Sequence, residues 1–417
     1  MWFRRTFLAA ALAAATAGAQ HAASNGATLT TRDTLRSQPR HVAYRALERA
    51  LRTYQLLAAD SSLRPPLRTA VPIRPGDVHP DLRALTRLLV ALGDLRAVEV
   101  DTASSTGHGS PPRYEGALVE AVARFQRRHG LAADGVIGRA TMTQLQVPLS
   151  RRVRQVELAM ERWHQLPPLP PGEHLIVNIP AFELGVFEND STPDQPELTM
   201  RVIVGLADRR HSTPAFAATM REVVFHPYWD VPSRIARTEL VPLFRRSPSA
   251  FNRGGYEIVS FAAGEAGAIP LPPSAQNLSR VAAGTLRLRQ KPGDANALGV
   301  LKFVLPNPYQ VFLHDTPTRE LFARARRAFS HGCVRVADPA ALAEFVLRGQ
   351  PPWDRASIDS VIRGTSTVRV LLAHPLPIYV MYATAAASPD GTVWFYPDVY
   401  ARDAAFEQSL PVGGARH

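Results

Sequence analysis

PPLPPGEHLIVNI, residues 167–179, marks a change of hydrophobic period. Before it, apolar residues recur every three or four positions. After it they alternate: Leu175, Val177 and Ile179 sit two apart, as on a strand with one buried face. Pro167 stops the preceding helical pattern, and the prolines of PPLPP make a stiff spacer. Downstream, LTMRVIVG alternates through Leu198, Met200, Val202 and Val204. REVVFHPYW, TLRLRQ, LKFVL, YQVFLH, TVRVLLA and PIYVMYA read as further strands, and SPDGTVWF supplies a hairpin turn at Pro389-Asp390-Gly391. The C-terminal half is therefore expected to be mainly β and sandwich-like. Helical patterns interrupt it near 234–246 and near 337–349, the latter with Asp338 as N-cap and Pro339 at the first helical position.

Working back from the spacer, residues 150–166 place Val153, Val156, Met160 and Trp163 on one helical face. Residues 43–59 do the same with Leu47, Leu51, Tyr54 and Leu57. Between them lies a compact unit. Leu82, Leu85, Leu89 and Leu92 share a face that stops at Gly93, and Leu118, Val122 and Phe125 form a second that ends at Gly130. A turn around Asp134-Gly135 leads to a third short helix holding Leu145.

The N-terminus carries Arg4 and Arg5, an apolar run from Phe7 to Ala15, and Ala17-Gly18-Ala19. This is the pattern of a secretory signal peptide cut before Gln20; an uncleaved membrane anchor is the alternative. No later run approaches the ~18 apolar residues of a spanning helix. An exported, soluble chain is expected, and export argues against nucleic acid as a partner of the basic excess, a formal charge of +12. Two lysines, Lys291 and Lys302, contribute to that charge; the rest is arginine. An anionic surface or wall polymer and plain coding bias both remain open readings.

Export also frames Cys333, the single cysteine, in AFSHGCVRV at 328–336. One cysteine forms no internal disulfide and cannot build a multi-cysteine zinc site. It is either an inert buried thiol or a nucleophile. Two histidines could activate it. His331 is two residues away and, on an extended strand, shares its face. His314 ends the apolar strand VFLH, which can pair with the strand carrying Cys333. Gly332 lets backbone approach a substrate carbonyl, and the N–H groups of His331, Gly332 and Cys333 could stabilise an oxyanion. Arg335 suits a carboxylate clamp. Tyr228 and Trp229 are candidates to line an acyl-donor groove, or are core packing. A serine D,D-transpeptidase is excluded, because no serine stands three before either lysine. A papain-type protease is disfavoured, because its cysteine precedes its histidine.

The stretch AVARFQRRHGLAADGVIGRATMTQL resembles the type 1 peptidoglycan-binding domain, through Phe125-Gln126, Gly130-Leu131, Asp134-Gly135, Gly138, Thr141 and Leu145. The catalytic half resembles the L,D-transpeptidase family. That family has a histidine, about fifteen residues, then Ser/Thr-His-Gly-Cys, a hydrophobic residue and Asn or Arg. Here these are His314, then Ser330-His331-Gly332-Cys333-Val334-Arg335. FHPYWDVPSRIARTELVPLF is similar to the strand and lid start of the long Gram-negative members. Two departures are a shorter helical scaffold before residue 80 and Arg335 in place of the commoner Asn.

The resemblance implies a multidomain α+β chain. Its parts would be a signal peptide (1–19), a helical scaffold (20–76), a three-helix peptidoglycan-binding domain (77–147), a connecting helix and linker (148–171), a catalytic domain (172–400) with a lid insertion about 232–285, and a tail (401–417). It also implies roles. Cys333 would be the nucleophile, His314 general base and acid, and Asp315 the residue whose backbone carbonyl orients His314. Ser330, His331 and Gly332 would shape the site, and Arg335 would hold substrate. The implied reaction joins peptidoglycan stems 3→3 through a thioester, with release of D-alanine, in the periplasm, and carbapenems should acylate the thiol. No cofactor and no metal are called for. Glycan strands and stem peptides are the implied partners, with other cell-wall synthesis proteins as candidates. The same site could serve an L,D-carboxypeptidase or a lipoprotein-detaching amidase, and a catalytically silent wall-binding protein is the alternative of another class.

Overall fold

The computed structural model describes residues 41–63, 71–99, 112–168, 172–188, 196–261 and 268–410. The expected signal peptide, the rest of the chain before His41 and the last seven residues of the tail lie outside them.

Helix α1 (Val42–Ala59) buries Tyr44, Leu47, Ala50 and Tyr54 against α5 (Leu149–His164), which contributes Val156, Ala159 and Trp163. The three-and-four spacing of these residues makes the stripe that the pairing needs. Between them lie α2 (Leu82–Ala91), α3 (Ala117–Arg128) and α4 (Arg139–Leu145), around a core of Leu82, Leu85, Leu89, Tyr114, Leu118, Val122 and Phe125. Gln126 explains the tight turn before α4. Its amide donates to Asp134 Oδ1 at 2.9 Å, to the Val136 carbonyl at 2.9 Å and to Thr141 Oγ1 at 3.0 Å, and its oxygen accepts from Gly135 N–H. Gly135 has φ +69 and lies against Val119, so a side chain there would be strained and crowded.

The C-terminal half is built on one nine-stranded mixed sheet in the order β10-β3-β11-β9-β8-β4-β12-β1-β2. The strands are β1 (His174–Asn178), β2 (Glu183–Phe187), β3 (Leu198–Gly205), β4 (Phe216–Phe225), β8 (Leu301–Val304), β9 (Leu313–His314), β10 (Ala328–Ser330), β11 (Val334–Val336) and β12 (Val368–Met381). Strand β2 also pairs with β3, so the sheet closes on itself around Val177, Val202, Val223, Phe303, Leu313, Val334 and Ile378. The outer side of β1 and β12, with the hairpin β13 (Ala385–Ala387) and β14 (Val393–Phe395), packs on α1 and α5.

Three strand readings change. REVVFHPYW leaves the main sheet after Phe225, His226 has φ +46, and Trp229 pairs in a separate small sheet. TVRVLLA and PIYVMYA are one strand, β12, with a register shift between Leu371 and Leu376. Pro375 has no N–H to give the ladder, and the irregularity accommodates it. YQVFLH contributes only its last two residues. The Asn307 side chain accepts from Tyr309 N–H and Val311 N–H and donates to the Val311 carbonyl, holding the chain in a loop in which Gln310 has φ +56. Strands β2 and β10, and the segments 256–259, 275–282 and 355–363, carry too few periodic residues to stand out in the sequence.

The chain between β4 and β8 forms a lid with its own core. Strands β5 (Trp229–Asp230), β6 (Tyr256–Val259) and β7 (Arg287–Gln290) make a small sheet in the order β5-β7-β6. Against it lie a helical run made of α6 (Ser233–Ile235), a π turn (Ala236–Leu240) and α7 (Val241–Arg246), then α8 (Ser249–Arg253) and α9 (Ala275–Ala282). Ile235, Val241, Phe244, Phe251, Ile258, Leu278 and Leu288 fill the space between. Helices α10 (Pro339–Val346), capped by Asp338, α11 (Arg355–Arg363), capped by Asp354, and α12 (Asp403–Ser409) complete the described chain.

Arg128 joins the three-helix unit to the rest. It is 7% exposed, forks onto both Asp94 oxygens at 2.7 and 2.5 Å, and donates to Tyr54 Oη of α1 and the Val393 carbonyl of β14. Arg128→Ala leaves the Asp94 carboxylate buried and unpaired. The expected cost is roughly 3–5 kcal/mol, read by denaturant unfolding, with much of it regained in Arg128→Met/Asp94→Leu. Buried histidines set the acid response. Burial, helped by neighbouring His174, lowers His41 to about 3, and burial with Arg128 lowers His129 well below its usual value. The unfolded chain therefore binds more protons as pH falls below ~6.5, and stability falls with it, by up to about 1.4 kcal/mol per pH unit for each ring. An unfolding midpoint unchanged between pH 7.5 and 4.5 would contradict this.

Candidate active site

Strands β9 and β11 run parallel, with Leu313 opposite Val334 and His314 opposite Arg335. Cys333 immediately precedes β11, and Val334 N–H donates to the Phe312 carbonyl at 3.1 Å. The thiol and the imidazole thus line one cleft of about 1030 Å³ between the closed sheet and the lid.

His314 is 4% exposed, and its Nδ1–H donates to the Asp315 carbonyl at 2.5 Å. That bond fixes the tautomer and leaves Nε2 with the lone pair. Asp315 is in turn immobilised. Its N–H donates to the Leu301 carbonyl, Oδ2 accepts from Val300 N–H, and Oδ1 accepts from Arg319 Nη1. Gly299 has φ +61 and packs so close that any β-carbon there would overlap the Asp315 carboxylate.

Ser330 to Cys333 form a turn, not the extended strand on which His331 would share a face with the thiol. Gly332 has φ +119, a conformation that glycine alone takes readily. Ser330 Oγ donates to the Cys333 carbonyl at 2.5 Å and accepts from Gly332 N–H at 3.1 Å. The Gly332 N–H is therefore engaged by Ser330, which takes it out of the three N–H groups expected to meet an oxyanion. His331 is turned to the lid, with Nε2 3.1 Å from Glu239 Oε2. Thr213, which the sequence does not single out, clamps the turn from β3–β4: its hydroxyl donates to the Gly332 carbonyl and accepts from Gly205 N–H, both at 2.9 Å. It lies far from the motif in sequence, so no local pattern betrays it.

Arg335 donates from Nη1 to Thr318 Oγ1 at 3.0 Å, while its buried Nε has no hydrogen-bond partner among the described residues. Trp229 lines the cleft. Tyr228 does not; its ring lies under the Arg289 guanidinium, 4.4 Å from the centroid. Arg209, Arg210, Arg234, Lys302, Arg335 and Arg402 line the cleft, and its carboxylate Asp230 is paired with Arg287 at 3.1 Å. A cleft of this sign attracts anionic ligands.

Cys333 is partly buried, and its thiol donates weakly to the Gln310 carbonyl at 3.8 Å. Burial pushes the thiol up to about 11, against the opposing influence of a backbone hydrogen bond, Lys302 and Arg335. Burial, together with the Arg335 charge, pushes His314 down to about 3. Near neutral pH the resting pair is thiol and imidazole, both uncharged. A neutral imidazole can accept a proton as the thiol attacks, so activation is coupled to reaction.

Residues 172–362 match the family described as the L,D-transpeptidase catalytic domain, and residues 78–145 the family described as "Putative peptidoglycan binding domain". A Haemophilus influenzae protein described as "Putative L,D-transpeptidase" is 30% identical over 278 residues, 66% of this chain. The chain spans about half of that relative's length, 54%. Among solved structures, an L,D-transpeptidase from Xylanimonas cellulosilytica is 13% identical with a TM-score of 0.21, over 76% of this chain and 99% of its own. One from Mycobacterium smegmatis is 12% identical with a TM-score of 0.23, over 51% and 60%.

A neutral resting pair has a direct signature. Alkylation of Cys333 by iodoacetamide, which needs the thiolate, should rise about tenfold per pH unit from pH 7 to 10 without an earlier plateau. A plateau between pH 5 and 8 would show a preformed thiolate–imidazolium pair.

Proposed function

We propose that this protein, whose residues 172–362 match the L,D-transpeptidase catalytic-domain family and residues 78–145 a peptidoglycan-binding one, cross-links peptidoglycan stems 3→3 through a Cys333 thioester. The carrying observation is the His314 tautomer, fixed by the Asp315 carbonyl, in the same cleft as the single thiol.

In this reading the donor tetrapeptide lies between sheet and lid. Cys333 Sγ attacks the carbonyl of the third stem residue, and the thiol proton passes to His314 Nε2. The His331 and Cys333 N–H groups receive the oxyanion. The C–N bond breaks, His314 returns the proton to the leaving D-alanine amine, and a thioester remains. The side-chain amine of a second stem then attacks. Its proton passes to His314, the C–S bond breaks, and the proton returns to the thiolate. Two easier acyl transfers replace one difficult one. Arg335 Nε, Arg209 and Arg210 are suited to stem carboxylates. A signal-directed periplasmic location, with the three-helix unit holding the enzyme to the wall, fits the same scheme.

The test is mass spectrometry of the products from disaccharide-tetrapeptide, with Cys333→Ala beside the wild type. A cross-linked dimer that has lost one D-alanine, made by the wild type alone, is expected. Disaccharide-tripeptide as sole product would replace transpeptidation with carboxypeptidase activity. No product, with sacculus binding intact, would favour a wall-binding protein. A carbapenem adduct on wild type and not on Cys333→Ala would tie the thiol to acylation independently of acceptor choice.

A further inference from the structure

The lid meets the catalytic turn at three side chains that the reaction above does not use. Glu239 stands in the π turn Ala236–Leu240, a wide turn of a kind common at functional sites. His331 precedes Gly332, and His211 lies in the β3–β4 connection. One donor atom from each lies within 4.8 Å of the other two. His331 Nε2 is 3.2 and 3.1 Å from the two Glu239 oxygens, and the His211 and His331 rings meet edge to face at 4.8 Å.

A second observation concerns how His211 is held. Its Nδ1 donates to Asp208 Oδ2 at 2.8 Å, which leaves Nε2 with the lone pair. Asp208 Oδ1 accepts from the backbone N–H groups of Arg210 and His211, both at 2.8 Å. A carboxylate behind an imidazole whose other nitrogen is free is the arrangement that orients metal-bound histidines. The backbone is fixed as well, since the His211 carbonyl packs against Gly205 where no β-carbon would fit. Two imidazoles and a carboxylate suit a borderline divalent ion and leave a fourth position for water. All three side chains are partly or fully exposed, so an ion has access.

We propose that His211, Glu239 and His331 form a binding site for a divalent transition-metal ion of the Zn²⁺ class, which clasps the lid to the turn carrying Cys333. Tetrahedral bonds of ~2.0–2.1 Å bring donor atoms to about 3.3 Å from one another, so the cluster contracts by rotation of its exposed side chains. Glu239 comes from the lid, and both histidines come from the sheet side. The site is complete only when the two are together, so ion binding and lid closure favour each other by linkage. The ion takes no part in the acyl-transfer chemistry, and the inference holds whether or not that chemistry is as proposed.

The test uses the full chain, with Co²⁺ as a spectroscopic probe and Zn²⁺ as competitor. Wild type and Cys333→Ala should give the same visible Co²⁺ bands, without thiolate charge transfer, and Zn²⁺ should abolish them. Glu239→Gln and Asp208→Asn should each weaken Co²⁺ binding roughly tenfold or more. Zn²⁺ should slow amide hydrogen exchange across residues 231–261 in the wild type and not in Glu239→Gln. Wild-type affinity in Glu239→Gln, loss of binding in Cys333→Ala, or no Co²⁺ bands at millimolar metal would each overturn the site. Glu239 is exposed, so its variant still decides for or against the site if the Asp208 variant fails to fold.

Discussion

Everything in the catalytic half depends on the parallel pairing of two very short strands. Leu313–His314 and Val334–Val336 share only a few ladder bonds, yet their register puts His314 beside Arg335, with Cys333 two residues ahead of Arg335. Parallel neighbours need a crossover, and here the intervening chain includes β10, which pairs on β3. The pair persists because Leu313, Val334 and Val336 are fully buried in the closed sheet. Asp315 then converts register into chemistry. Its carbonyl sets the imidazole while its carboxylate fastens the loop before β8.

Burial that secures this geometry also determines its electrostatics. The imidazole loses its proton readily and the thiol holds its own, so the resting site carries no charge pair. An uncharged pair costs little to keep in a low-dielectric site, and its neutral imidazole keeps a lone pair able to accept a proton. The surrounding arginines line the cleft where a ligand's charges would lie, and one of them, Arg335, also helps to hold the imidazole uncharged.

Beyond the sheet, the three-helix unit is fastened by a polar contact. Arg128 satisfies Asp94 within the unit and reaches Tyr54 and Val393 outside it. Such a contact works only at one relative placement, because its hydrogen bonds fix direction as apolar packing does not. The lid has its own core and meets the catalytic turn through Glu239 and His331.

Local features were legible from the residues alone. The three-and-four spacing of Leu47, Leu51 and Tyr54 or of Leu82, Leu85 and Leu89 specifies a helical stripe wherever the helix docks. The alternation of HLIVNI and LTMRVIVG likewise specifies strands, and a lone cysteine in Ser-His-Gly-Cys, fifteen residues after a histidine, marks the chemistry. Tertiary structure decided what depends on partners distant in the chain. It made one strand of two segments around Pro375, bent YQVFL into a loop around Asn307, and engaged the Gly332 N–H with Ser330. It turned His331 to the lid, placed Thr213 under the catalytic turn and left Tyr228 beneath Arg289. Periodicity encodes which face of an element is apolar, a property of neighbours in sequence. Register and hydrogen-bond occupancy are set by closure of the sheet, which brings residues more than a hundred positions apart within 3 Å.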